Sequence, residues 1–64
     1  MSAKSDLLQR KARLMQARAD LLRRILYYQQ QGSEQQAMYL QLQQVELERQ
    51  IADIESSLAR QFED

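Results

Sequence analysis

Sixty-four residues make one small domain, and nine basic residues against nine acidic ones leave a formal net charge of zero. With neither Cys nor His, disulfides, thiolate nucleophiles, imidazole bases and the common zinc sites are all excluded. Below roughly 70–80 residues a lone core rarely supplies more than ~3–5 kcal/mol, so such a scaffold calls for a staple, and oligomerisation or a partner chain is the one left.

The N-terminal stretch Met1-Ser2-Ala3-Lys4-Ser5-Asp6 lacks the apolar segment of a secretion signal. Ser5 is the expected N-cap of a first helix, with Asp6 at the positive end of its dipole. Gln, Leu, Ala, Arg and Glu dominate the rest of the chain, and all are good helix formers. The longest apolar run, Ile25-Leu26-Tyr27-Tyr28, is far short of the ~20 residues that cross a bilayer. Together with the absence of Cys, this predicts a cytoplasmic protein.

The single Gly of the chain marks the break, at Gln31-Gly32-Ser33-Glu34. Gly32 suits the left-handed position that ends a helix. Ser33-Glu34-Gln35-Gln36 has the form of a capping box, in which Gln36 reaches back to the Ser33 amide. The first helix therefore spans about 5–31, the turn about 31–33 and the second helix about 34–62, with Phe62-Glu63-Asp64 fraying. So short a link forces an antiparallel hairpin, a single domain over 1–64 with arms roughly 40 Å long.

Each arm carries two apolar stripes. On the first, Leu7, Leu14, Leu21 and Tyr28 recur every seven residues, beside Leu8, Met15 and Leu22 interleaved with Ala12, Ala19 and Leu26. The set 8-12-15-19-22-26 follows the four–three spacing of a coiled-coil seam. Together the two sets cover roughly 160°, more than one neighbouring helix hides. On the second arm the strong seam is Ala37, Leu40, Gln44, Leu47, Ile51, Ile54 and Leu58, with Phe62 near its end. The weaker stripe is Met38, Val45, Ala52 and Ala59. The stripes left open, with Tyr28 and Tyr39 near the turn, form the expected interface.

Charge divides between the arms. Residues 1–31 hold seven basic and two acidic residues, a net of +5, and residues 32–64 hold the reverse, a net of −5. In a hairpin turning near 33, position i faces about 66 − i, so Lys11 is expected to face Glu55 and Arg18 to face Glu48, with Leu22 and Leu47 in one layer. Such pairs fix register more than they add stability. Tyr27, Tyr28, Met38 and Tyr39 cluster near the turn, either as a plug for the hairpin end or as a contact patch.

No catalytic constellation is visible. One Gly rules out phosphate-cradling loops, and the carboxylates Glu46, Glu48, Asp53 and Glu55 lie along helical surface with no pocket to gather in. No cofactor, metal or membrane contact is expected. The alternative is a dimeric four-helix bundle of the Rop type, binding RNA through Arg10, Lys11, Arg13, Arg18, Arg23 and Arg24. A pI near 6.2 and an acidic second arm argue against nucleic acid.

The run Gln35-Gln36-Ala37-Met38-Tyr39-Leu40-Gln41-Leu42-Gln43-Gln44, then Leu47-Glu48 and Ile51, comes after the Gly-containing turn. In this, and in its size, the chain resembles the small cytoplasmic E component of type III secretion systems. That resemblance implies a helical-hairpin co-chaperone, with the needle subunit held between it and a helical-repeat chaperone. The residues themselves predict an all-α antiparallel hairpin. It works without catalysis as a protein–protein interaction module, by completing a coiled coil or four-helix bundle with a second copy or by docking on a helical partner.

Overall fold

The computed structural model describes residues 2–63. Two helices fill them, α1 over Ala3–Gln30 and α2 over Glu34–Glu63. They pack side by side as an antiparallel hairpin whose Cα trace measures 49 × 16 × 11 Å. Neither helix is long and apolar enough to cross a membrane.

α1 starts two residues before the expected point. Ser2, not Ser5, is its N-cap: its backbone is extended at φ −94° and ψ 153°, and its Oγ accepts from the Ser5 amide at 3.1 Å. The Asp6 amide donates to the Ser2 carbonyl at 3.2 Å, so Ser5 is already inside the first turn. An upstream serine three residues away can satisfy the same orphan donor and extend the helix.

At the other end Gly32 takes φ +77°, the only positive φ among the described residues. The Ser33 amide donates to the Tyr28 carbonyl at 2.9 Å and the Gly32 amide to Gln29 at 3.2 Å. This pair of bonds is the Schellman arrangement that ties off the last carbonyls of a helix. It also explains a correction. The expected return bond from Gln36 to the Ser33 amide is absent, because that donor is already committed to Tyr28. α2 still begins at this point, with Ala37 N–H donating to the Ser33 carbonyl at 3.1 Å.

The helices meet along one row of each. Every buried or half-buried residue of α1 falls at 7, 11, 14, 18, 21, 25 or 28. On α2 the facing row is Ala37, Leu40, Gln44, Leu47, Ile51, Ile54 and Leu58, as the spacing predicts. Leu21, Ile25 and Leu40 form the central cluster, with Tyr28 and Leu47 against it, while Ile51, Ile54 and Leu58 are buried toward the open end. The side chain of Phe62, expected near the end of this row, lies outside the described part.

The row 8-12-15-19-22-26 is therefore not the seam between the arms. Leu21 is 5% exposed and Leu22 43%, so Leu21 and not Leu22 shares a layer with Leu47. The chosen row places Leu21, Ile25 and Tyr28 against α2 near the turn, where the rejected one offers Leu22 and Leu26 with two alanines behind them. The cost is Lys11 and Arg18 in the seam, and their aliphatic stems can cover apolar surface while the charged heads stay wet. Both residues are half-buried.

Candidate interaction surface

The two flanks of the seam differ in chemistry. At the open end, one groove is lined by Leu8 and Lys11 of α1 with Glu55, Leu58 and Ala59 of α2. At the turn end, a groove on the same flank is lined by Gln29, Ala37, Met38 and Gln41, with Glu34. Leu8, Met15, Leu22 and Gln29 recur every seven residues, as do Met38, Val45, Ala52 and Ala59. With both ends of each series on one face, the residues between lie on it too. Leu8, Met15, Leu22, Leu26, Met38 and Val45 are all exposed there, Val45 to 66%. Ala12, Ala19, Ala52 and Ala59 are exposed beside them.

The opposite flank is mixed in character. One groove there is lined mostly by polar side chains, Arg10, Arg49, Gln50, Asp53 and Ser57, with Leu7 and Ile54 at its floor, and another combines Arg24, Gln36 and Gln43 with Tyr28, Tyr39 and Leu40. The hairpin is thus two-faced, with exposed aliphatic side chains on one broad side and a mixture of glutamine, charge and Tyr39 on the other.

This geometry sorts the residues expected at an interface. Leu8, Met15, Leu22, Met38, Val45 and Ala52 lie exposed on the open face. Leu7, Leu14, Leu21 and Tyr28 do not: they sit in the seam, because they share the row that meets α2. Tyr39 is 63% exposed, but it borders the groove on the opposite flank with Arg24. Of the turn cluster only Tyr28 plugs the hairpin end. Its ring stands 5.3 Å from that of Tyr27 at 70°, an edge-to-face contact, while Tyr27 itself is exposed. Ile25, buried beside Leu21, belongs to neither α1 stripe singled out from the sequence. Its position four residues after Leu21 and three before Tyr28 was the available signal.

Lys11 Nζ lies 3.3 Å from Glu55 Oε2. The matching pair one heptad on, Arg18 with Glu48, is not formed within the chain. Glu48 Oε1 instead accepts from Gln44 Nε2 at 3.3 Å, one turn earlier on its own helix. Glu55 has apolar Ile51 at the equivalent place, so nothing competes with Lys11 there.

Other charges are paired along the outer surfaces. Arg49 holds Glu46 in a fork, Nη2 to Oε1 at 2.6 Å and Nε to Oε2 at 3.1 Å, and reaches Asp53 Oδ2 with Nη1 at 3.2 Å. The Arg49 hydrogen bonds, with one from Gln50 Nε2, bring the Glu46 pKa down to about 2. Its partner, Arg49, is held above its ordinary range by Glu46 first and then Asp53. Arg23 binds Asp20 Oδ1 at 2.9 Å. Among the described residues no group of three or more Asp or Glu is gathered to hold a metal ion.

The fold places the chain in the class of all-α antiparallel helical hairpins. No protein-family model matches its sequence, and no curated protein or solved structure does so either.

Proposed function

We propose that the chain is a non-catalytic, cytoplasmic interaction module that buries its open face against other helices. The observation that carries this reading is the exposed strip of Leu8, Met15, Leu22, Leu26, Met38 and Val45, which runs along a body 49 Å long. Scattered surface leucines are ordinary, but large apolar side chains exposed together on one face are the usual mark of a contact surface, here with Lys11 and Glu55 beside Leu8 and Ala59 at the open end. A chain this short has little core to spare, and burying apolar area is worth about 25 cal/mol per Å². The resemblance of residues 35–51 to the secretion E component supplies a narrower form of the reading, a co-chaperone on a helical-repeat partner. Met38 of that run lies on the open face.

The test is a thermal melt, monitored by circular dichroism over a hundredfold range of chain concentration and again with candidate helical partners present. Mass action makes the midpoint rise with the concentration of whatever covers the face. A cooperative melt whose midpoint stays fixed under every condition, with no partner bound, contradicts the proposal.

A further inference from the structure

Resting on the reading of the open face as an interface, we infer that its occupant is a second copy of the chain, seated with both turns at the same end. In that arrangement the twofold axis runs parallel to the helices, and α1 of each copy lies along α2 of the other. The alternative seating turns one copy end over end and sets α1 on α1 and α2 on α2.

Charge separates the two. Residues 1–31 carry a net +5 and residues 32–64 a net −5. Turns together puts each basic arm along an acidic one, whereas the reversed seating lays like on like. Arg18 sharpens the contrast. It is half-buried and, among the described residues, in no ion pair. Lys11 and Glu55 set the register at which position i faces about 66 − i, so Arg18 and Glu48 stand at one level. With the turns together, Arg18 comes to the level of the partner's Glu48. Reversed, it comes to the level of the partner's Arg18, since residue 18 lies near the middle of α1.

Size agrees as well. Within one residue of that register Leu8 comes level with Ala59, Met15 with Ala52 and Leu22 with Val45, so each larger side chain of α1 meets a smaller one across the interface. The broad face of the hairpin, 49 Å by 16 Å, is of the order of the ~800 Å² that each partner contributes to a stable interface. A twofold pair is also the commonest way a soluble chain closes such a surface.

Spin-label distances decide the matter on the full chain, which has no native Cys to interfere. Gln30→Cys sits beside the turn, Gln9→Cys toward the open end and Gln16→Cys near the middle, all on the exposed back of α1. Sedimentation first establishes the mass. A dimer with turns together gives intermolecular distances under about 30 Å at all three sites, set by interaxial spacings of roughly 10 Å and the label arms. A reversed dimer makes the three distances unequal: shortest at Gln16→Cys, with axial separations of roughly 25 Å at Gln9→Cys and roughly 35–40 Å at Gln30→Cys, and a Gln30→Cys distance well beyond the other two overturns the inference. A chain that stays monomeric yet binds an added helical protein overturns it too, while sparing the reading of the face as an interface. A monomer that binds nothing removes both.

Discussion

Lys11 Nζ stands 3.3 Å from Glu55 Oε2, an ion pair that ties α1 to α2 at 44 residues' separation in sequence and fixes how the arms are aligned. Glu55 is 55% exposed, so water and salt weaken the pair. A double-mutant cycle with Lys11→Gln and Glu55→Gln, measured by urea unfolding at one chain concentration, should give a coupling of about 0.2–1 kcal/mol. The coupling should shrink as salt is raised. A coupling of zero at low salt would mean that the arms are aligned differently.

Gly32 should be the most sensitive position in the turn. Its φ of +77° is one that side-chain-bearing residues adopt at a cost, although an added Cβ would meet nothing within 4 Å. Gly32→Ala should therefore destabilise by about 1–2 kcal/mol through backbone strain alone. Gly32→Asn should cost less, because Asn tolerates the left-handed region better. Equal losses for the two variants in urea titrations would point to a steric cause instead.

Much of the fold is legible in the residues, and the largest part that is not turns on the choice of seam on α1. Gly32 with Ser33 after it marks the reversal because only a residue without Cβ takes that φ freely. The α2 seam is readable because its apolar residues have few rivals on that helix. On α1 the contest between two rows is close, and the apolar count favours the wrong one. The true seam contains Lys11 and Arg18, which count as polar by type but cover surface with their stems. Which leucines stay exposed depends on that choice, so Leu7, Leu14 and Leu21 lie in the seam and not on the open face. The Arg18–Glu48 pair fails for a more local reason. Gln44 sits one turn before Glu48 and takes its carboxylate without any long-range closure.

Glu46 gives the surface a measurable acid response. The bonds from Arg49, then Gln50, lower its pKa from 4.5 to about 2. A depressed carboxylate stabilises the folded chain above its ordinary pKa, and the contribution is lost as pH falls toward and through the folded value. A carbon-detected titration should therefore find the Glu46 midpoint near 2, and Arg49→Gln should move it up toward the ordinary 4.5. Both groups are well exposed, so high salt should narrow the difference. A wild-type midpoint at the ordinary value would show that the fork does not persist in solution.

The most direct measurement is sedimentation equilibrium on the wild-type chain beside the double variant Leu22→Gln and Val45→Gln. Both side chains are exposed on the open face, 43% and 66%, and neither belongs to the seam with its buried neighbour Leu21. The wild type should associate reversibly into dimers as its concentration rises. The variant should bind its own copy at least tenfold more weakly, since each lost apolar contact in a buried face is worth about 1 kcal/mol or more. A wild-type chain that remains monomeric at every concentration, or a variant that associates as tightly as the wild type, would contradict self-association through this face.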